Sequence, residues 1–313
     1  MYEQTTAKEI DIRDIRGLRI GNAEDQEAKT GVTVLLFNHG ATVGVDVSGG
    51  GPASRENLLA DPLTADNPVN AIVLSGGSAF GLAASDGVMR YLESRGIGYD
   101  TGFAKVPLVC QACIFDLGIG RADVRPDSEM GYQACKDAEE NHPRCGNVGA
   151  GCGATVGKIC GMERASKSGL GIYAAQVGEL KIGAVVALNA LGDIYDPKSG
   201  KKIAGLRGED GSLAVHSCNE LYKICERTDL FNSNTTIGTI VTNGKFSKAE
   251  MSKIASMARC AYARCINPVG TMADGDTIYG AALGEVEADI NVAGVLAAEV
   301  LSEAIIRAAK EHD

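Results

Sequence analysis

The sequence contains no tryptophan and only fifteen other aromatic residues, nine Tyr and six Phe, in 313 positions. Aromatic packing therefore contributes little, and the forty glycines indicate many tight turns and close backbone contacts instead. Long apolar runs are lacking as well: residues 182–191 are too few to cross a bilayer, and residues 293–306 are interrupted by Glu299 and Glu303. We therefore expect a soluble protein without a membrane-spanning segment.

Basic residues are outnumbered, with 30 Lys and Arg against 40 Asp and Glu, and the formal net charge is -10. No basic cluster interrupts this acidic composition. Because nucleic acids and anionic membranes bind surfaces on which Lys and Arg are concentrated, neither is expected as a partner. The N-terminal residues are polar and charged, unlike a signal peptide, so a cytoplasmic location is expected.

The four histidines lie in no recognisable triad, which disfavours a Ser/His or Cys/His hydrolase and favours a nucleophile activated by an amine. Of the ten cysteines only Cys110 and Cys113 form a C-x-x-C pair, without the second pair or the histidines of a zinc site. Most cysteines are expected to be small buried residues in a reducing compartment. A redox or metal role for Cys110 and Cys113 stays open.

Runs rich in β-branched residues alternate with amphipathic segments. Strands are predicted at residues 32–38, 41–47, 70–74, 181–188, 236–243 and 277–283. The His39-Gly40 turn is predicted to join the first two in a hairpin. Helices are predicted after Ser78, at 127–140 and 213–227, after the capping box Ser247-x-x-Glu250, and from about residue 291. The first of these is expected to bury Phe80, Ala84, Val88 and Tyr91. One compact α/β domain with layered sheets and outer helices is the simplest architecture.

The glycine-rich loops match no nucleotide motif. Gly76-Gly77 and Gly81 do not form G-x-G-x-x-G, although the turn at Ser78 could hold a carboxylate or an oxyanion with backbone N–H groups. Gly157-Lys158 lacks the remaining residues of a phosphate loop. The loop at 146–153 must approach either a substrate or another strand closely, and both alternatives stay open. Its candidate substrate-binding residues are Asn147, Gly149 and Gly151.

Residues 232–243, NSNTTIGTIVTN, form a polar loop that runs into a β-branched strand. A threonine hydroxyl is a weak nucleophile unless a base lies beside it, and the residue's own free α-amine can be that base. Thr235 could free its amine by attacking the carbonyl of Asn234, which gives an ester that water then opens. The freed amine has a reference pKa of about 8, close to neutral pH, where a general base works best. Ordinary turn chemistry before a strand explains the same residues, so the motif alone leaves self-cleavage open.

Two further polar positions adjoin predicted strands. Asn189 ends one strand, where its amide could donate to a developing oxyanion or merely cap a turn. Asp274-Gly275-Asp276 precedes another strand, and two carboxyl groups so close could share a proton, orient a cationic amine, or form a solvated turn.

Together these segments resemble the P1 peptidase family, the S58 group of self-processing aminopeptidases. The similarity covers nearly the full chain and is carried by segments in the family's order: TGVTV at 30–34, GVDV at 44–47 with the following glycines and Arg55-Glu56, AIVLSGGSAFGL at 71–82, GNVGAG at 146–151, VALNA at 186–190 with Gly192-Asp193, NTT at 234–236 and DGDT at 274–277.

The resemblance implies an α-β-β-α sandwich like that of N-terminal-nucleophile hydrolases, with distinct connectivity, and self-cleavage of one peptidase domain into residues 1–234 and 235–313. Thr235 matches the nucleophile, Asn234 the residue before the cut, and Asn189 the asparagine that stabilises the oxyanion. Asp274 and Asp276 fall where peptidase members carry a serine and a glutamate, so the chain departs from the family there; we expect them to position the substrate's amine.

The implied activity is release of N-terminal amino acids from peptides, or cleavage of related small amides and esters, through an acyl-Thr235 intermediate without metal or organic cofactor. The family also implies a homo-oligomer, commonly a tetramer of processed pairs. Two alternatives remain: an acyltransferase of the ornithine-acetyltransferase kind, which passes the acyl group to an amine, and a non-catalytic protein whose glycine loops bind a small anion.

Overall fold

The computed structural model describes residues 6–223 and 234–310. Its strands are β1 (Lys8–Glu9), β2 (Leu18–Asp25), β3 (Thr30–Val47), β4 (Ala53–Arg55), β5 (Val69–Ser75), β6 (Tyr99–Asp100), β7 (Lys105–Val106), β8 (Val109–Cys113), β9 (Thr155–Val156), β10 (Ser166–Lys167), β11 (Leu170–Val177), β12 (Leu180–Ala187), β13 (Asp193–Tyr195), β14 (Lys202–Ala204), β15 (Ile237–Gly244), β16 (Ile266–Asn267) and β17 (Thr277–Val286). Its helices are α1 (Ala84–Ser94), α2 (Ser128–Glu140), α3 (Ser217–Lys223), α4 (Lys248–Ala258), α5 (Cys260–Cys265) and α6 (Ile290–Lys310).

Two sheets form the centre of the fold. Sheet A has the strand order β1-β11-β12-β15-β17-β3, and sheet B has the order β2-β3-β5-β8-β4. Helices α4 and α6 pack on the outer face of sheet A, and α1 and α2 cover sheet B. The predicted α-β-β-α sandwich is therefore confirmed.

Three buried apolar clusters hold the two sheets and the two helical layers together. Alternate residues of a strand point to opposite faces, so Ile240 of β15 packs toward α4 and α6 while Val241 packs between the sheets. On the far side, Val73 of β5 packs against Val88 of α1. Strands buried on both faces read as continuous β-branched runs, which is why the sequence marks them clearly.

One long strand connects the sheets. Residues 42–47 of β3 pair with β17 in sheet A, whereas residues 30–37 pair with β2 in sheet B. The register with β5 shifts between Leu36 and Ala41, where Gly40 adopts a φ of +77°. The predicted hairpin at His39-Gly40 is therefore wrong. A bulge and a tight turn both use a glycine with positive φ, so the local sequence does not distinguish them.

The helix predictions are largely confirmed. The Asp127 side chain caps α2, and Ser247 and Glu250 form the predicted capping box of α4. Phe80 is the exception: it is 59% exposed and its ring stacks with the Arg125 guanidinium, because a 3-10 turn at Ser78–Ala83 changes the periodicity before α1 begins. Of the helix predicted at 213–227, the structure has Ser217–Lys223 as α3, and the predicted residues 224–227 lie outside the described residues.

The C-x-x-C pair lies on β8, with both thiols free and buried. Burial raises the pKa of both Cys110 and Cys113 to about 12. Since the thiolate is the reactive and metal-binding form, neither side chain is suited to redox or metal chemistry near neutral pH. Within residues 6–223 and 234–310, no cluster of His, Cys, Asp and Glu has the geometry to hold a metal ion, and no helix is long and apolar enough to cross a membrane.

Close contact between β3 and α4 requires glycine at position 44. A Cβ atom at Gly44 would lie 2.1 Å from the backbone nitrogen of Ser252. We expect Gly44→Ala to lower the free energy of unfolding by about 2 kcal/mol or more, because backbone rather than a flexible side chain must move. Urea unfolding tests this. Gly118→Ala, where the nearest atom would be 3.5 Å away, is the matched control; equal stability of the two variants would contradict the close contact.

Candidate active site

Strand β15 is extended at its N-terminal end by residues 234–236, which come directly before its first residue, Ile237. The Thr235 N–H donates to the carbonyl of Asn189 at 3.0 Å, which prolongs the ladder with β12. On the other side the Asn234 N–H donates to the Ala273 carbonyl, and the Gly275 N–H donates to the Asn234 carbonyl, both at 2.8 Å. The predicted cleavage bond is thus held on both sides by main-chain hydrogen bonds.

The Thr235 hydroxyl lies directly beside the carbonyl that it is predicted to attack. Its Oγ1 donates to the Asn234 oxygen, and the residue is only 4% exposed. A Cβ atom at Gly275 would lie 2.7 Å from Thr235 Oγ1, so glycine is needed at that position. The Asn234 oxygen therefore faces the Thr235 hydroxyl and a backbone N–H at the same time.

Asp274 and Asp276 are both buried next to this bond. Asp276 accepts from the Thr236 N–H at 2.7 Å and from the Gly270 N–H at 3.1 Å. Asp274 accepts from the N–H and the hydroxyl of Thr271 at 2.9 and 2.7 Å. Burial, helped by the neighbouring Asp274 charge, raises the pKa of Asp276 to about 7, although its two N–H donors favour the charged form. Asp276 can therefore take up a proton close to neutral pH.

Lys158 is a site residue that the sequence analysis missed. Its Nζ donates to Asn189 Oδ1 at 2.7 Å and to the Asn189 carbonyl at 3.0 Å, the same oxygen that accepts from Thr235. Burial lowers the pKa of Lys158 to about 7, against the opposite effect of nearby carboxylates. A lysine of this kind can exchange a proton at neutral pH. The only feature of the local sequence that could have indicated a site residue here is a lysine within an otherwise largely apolar segment.

Asp116 is the second missed residue. Its carboxylate accepts from the Thr30 hydroxyl and from the Gly77 N–H, both at 2.7 Å, and burial raises its pKa. Its charge also acts on Lys158. A Cβ atom at Gly76 would lie 1.9 Å from Asp116 Oδ2. The turn after β5 therefore does bind a carboxylate, as its backbone N–H groups suggested, but the carboxylate belongs to the protein itself.

Asn189 organises the site mainly as an acceptor. Its side-chain Nδ2 donates to the Phe115 carbonyl at 2.9 Å, while its oxygens accept from Lys158 and Thr235. The donor that reaches the Asn234 oxygen is the Gly275 N–H instead. The oxyanion role of Asn189 stays a prediction, and the backbone donor is one that the sequence did not indicate.

The glycine-rich loop packs against strands. The Gly149 N–H donates to Glu24 Oε2 at 2.8 Å, and the Asn147 carbonyl accepts from Gln26 Nε2 at 2.7 Å. A Cβ atom at Gly151 would lie 2.0 Å from the Leu170 nitrogen. These contacts explain the glycines by close strand packing, and the substrate-binding role of Asn147, Gly149 and Gly151 stays a prediction.

The site can be compared with known proteins. The model of peptidase family S58 matches residues 11–311. The chain belongs to peptidase family S58. It is 38% identical over 291 residues to an uncharacterized aminopeptidase of Mycobacterium bovis, covering 88% of this chain and 82% of that protein. It is 31% identical over 324 residues to a 6-aminohexanoate-oligomer endohydrolase of Kocuria, covering 98% and 88%.

Solved structures agree on the fold. An L-aminopeptidase D-Ala-esterase/amidase from Ochrobactrum anthropi, described as a variant of the Ntn hydrolase fold, superposes with a TM-score of 0.70 at 14% identity, covering 94% of this chain and 84% of that one. A Burkholderia β-aminopeptidase gives a TM-score of 0.67 at 18% identity, with the same coverage. This S58 member is accordingly a hydrolase of the aminopeptidase or amidase type.

The raised pKa of Asp276 predicts a pH-dependent stability. Its pKa of about 7 in the folded protein exceeds the value in the unfolded chain. The contribution of Asp276 to the free energy of unfolding should therefore be largest below about pH 4 and be lost as the pH rises to about 7. A difference of about three pKa units corresponds to about 4 kcal/mol. In a Thr235→Val background, which removes the predicted nucleophile, Asp276→Asn should reduce the fall in urea-unfolding stability between pH 4.5 and 7.5. Asp86→Asn, which alters an exposed carboxylate, should leave that fall unchanged; an equal effect of the two variants would contradict the prediction.

Proposed function

We propose that this S58 hydrolase cleaves itself between Asn234 and Thr235 and then acts as an N-terminal-threonine hydrolase on peptides or small amides. The observation that carries the proposal is the position of the Asn234 carbonyl, between the Thr235 hydroxyl and the Gly275 N–H. A carbonyl held next to a nucleophile and polarised by a fixed N–H is prepared for acyl transfer.

Self-cleavage needs a base other than the Thr235 nitrogen, which is still an amide. Neutral Lys158 fits this need, because it is bound to the same Asn189 carbonyl as Thr235 and has a pKa of about 7. Thr235 Oγ1 bonds to the Asn234 carbonyl carbon, its proton passes to Lys158, and the Gly275 N–H stabilises the oxyanion. The C–N bond then breaks as the Thr235 nitrogen takes up the proton, and water hydrolyses the resulting ester.

The freed α-amine takes over as base in the mature enzyme. The Thr235 nitrogen lies 3.0 Å from the Asn189 carbonyl, which can hold the amine in place. The positive charge of a protonated Lys158 nearby would lower the pKa of the amine toward neutral pH. A substrate acyl group would be transferred to Thr235 Oγ1, its amine would leave with the proton, and water would release the acid.

The substrates are proposed to be amides whose amine is positioned by Asp274 and Asp276. The names of the relatives support an amide bond, since they are aminopeptidases and an oligoamide endohydrolase. We further propose a cytoplasmic homo-oligomer, a tetramer of processed pairs. The nine free cysteines of the described chain are in keeping with a reducing compartment, and exposed Val292 and Val295 on α6 offer an apolar contact.

Two adjacent threonines provide a matched test. Thr235→Val should leave the chain whole and inactive, because it removes the nucleophile with little change in volume. Thr236→Val should still be cut, because Thr236 Oγ1 has no hydrogen-bond partner among the described residues. Denaturing electrophoresis with mass spectrometry should show a fragment of 79 residues, 235 to 313, for the wild type and Thr236→Val only. Cleavage of Thr235→Val at the same bond would rule out intramolecular attack.

The proposed base predicts the pH dependence of self-cleavage. Because the pKa of Lys158 is lowered to about 7, its amine is protonated in acid, and the cleavage rate should rise with pH and level off above about 7. Chain made by cell-free synthesis at pH 5.5 and shifted to higher pH allows the rate to be followed by electrophoresis. Lys158→Met should slow cleavage at least about a hundredfold.

Lys167→Met is the control for this experiment. Lys167 is also largely enclosed, but its Nζ donates to the carbonyls of Gly151 and Ala154 rather than to Asn189. Its loss should leave the cleavage rate and its pH profile unchanged. A Lys158→Met chain that is cut at the wild-type rate would assign the base elsewhere.

A further inference from the structure

The place of Asn234 shows how an acyl group is bound before attack. Its carbonyl oxygen accepts from the Gly275 N–H, and its own N–H donates to the Ala273 carbonyl, both at 2.8 Å. Both polar groups of one residue's main chain are therefore recognised, and the residue is 2% exposed. Asn234 is thus paired with the segment at 273–275 in the way that a residue of one β-strand pairs with its neighbouring strand.

The recognising loop is itself fixed. The Ala273 N–H bonds to the Thr271 hydroxyl at 3.2 Å, and the Gly51 N–H donates to the Asp274 carbonyl at 2.8 Å. The Gly50 N–H donates to the Thr271 carbonyl at 3.1 Å. The direction of the Ala273 carbonyl is consequently fixed before any substrate arrives. The loop therefore needs little rearrangement to accept a hydrogen bond from a substrate N–H.

A substrate acyl group that is attacked by Thr235 Oγ1 and polarised by the Gly275 N–H would bind with its carbonyl beside the place of the Asn234 carbonyl, moved outward because it has no bond to the Thr235 nitrogen. A nitrogen on the adjacent carbon then falls opposite the Ala273 carbonyl, whereas the nitrogen of a 6-aminohexanoyl group is four carbons further away. In the uncleaved chain this nitrogen is acylated, because Ser233 precedes Asn234 in the sequence. The position is thus compatible with a nitrogen that carries a chain.

We propose that the acyl subsite of the mature enzyme recognises an N–H on the α-carbon through the Ala273 carbonyl, whether that nitrogen is free or acylated. This rests on the proposed threonine mechanism. The substrate class that follows is α-aminoacyl amides, including those inside a peptide, so the enzyme cleaves endo as well as at a free N-terminus. Acyl transfer to Thr235 Oγ1 and hydrolysis by water proceed as for the free amino acid.

Anilide substrates test this with the processed wild-type enzyme. The p-nitroanilides of alanine, N-acetylalanine, N-acetyl-N-methylalanine and 6-aminohexanoic acid differ only in the acyl group. We expect kcat/KM for N-acetylalanine to lie within about a hundredfold of that for alanine, whose charged amine is also attracted by Asp274 and Asp276. The N-methyl compound lacks the N–H and should fall at least about tenfold below N-acetylalanine. The kcat/KM of the 6-aminohexanoyl compound should likewise be at least about tenfold lower than that of the alanine compound. Equal rates with and without the N–H, no cleavage of N-acetylalanine, or preference for 6-aminohexanoyl would overturn the inference.

Self-cleavage provides an independent measurement on the same contact. Asn234→Pro removes the N–H that bonds to Ala273, and Asn234→Ala removes only the side chain. We expect the proline variant to be cut at least about tenfold more slowly than the alanine variant, with folding of both checked by thermal unfolding. Equal rates would overturn the role of the Ala273 carbonyl. A wild-type chain that stays whole and hydrolyses no anilide would overturn the proposed function itself, whereas an active enzyme insensitive to N-methylation would overturn only this inference.

Discussion

The rest of the site depends on the main-chain hydrogen bonds that extend β15 at its N-terminal end. They hold the peptide bond between Asn234 and Thr235. Asn189 pairs with Thr235 on one side, and the segment at 273–275 pairs with Asn234 on the other. Main-chain hydrogen bonds of this kind orient the peptide plane, and the hydrogen bond from the Thr235 hydroxyl to the Asn234 oxygen keeps the hydroxyl beside the carbonyl. The site is therefore a direct extension of the sheet, held by the same kind of main-chain pairing.

Charge is the second constraint. Asp116, Asp274 and Asp276 all favour the protonated form of Lys158, yet burial outweighs them and brings its pKa to about 7. A buried lysine can lose three to five pKa units through desolvation. Three carboxylates return part of that shift, and the balance leaves a base that is about half protonated at neutral pH. Removing a carboxylate would therefore make Lys158 a weaker base, so these acids tune the amine even where they do not touch the substrate.

Local sequence was sufficient for most of the fold and for placing the predicted cleavage motif beside β15, while its role stays a prediction. Doubly buried strands such as β15 are continuous apolar runs, and the Asn234-Thr235 segment lies where its polar residues indicated. The β3 crossover was missed because a bulge and a turn share the same glycine chemistry. Lys158 and Asp116 were missed for another reason: they are separated from residue 235 by more than 70 positions, and only strand order brings them to Asn189.

The same geometry also determines the order of events. In the uncleaved chain Thr235 is 4% exposed and Asn234 is 2% exposed, so the acyl position is filled by the protein's own residue. In the proposed mechanism, no external amide would reach the hydroxyl until that residue has been detached and has left. In the intact chain the Asn234 N–H donates to the Ala273 carbonyl and its oxygen accepts from the Gly275 N–H, and after the proposed cut the new carboxylate would retain both contacts. In the proposed mechanism a substrate needs the same two contacts, so departure of the C-terminal end of residues 1–234 would compete with substrate binding and determine how soon a cleaved molecule becomes active.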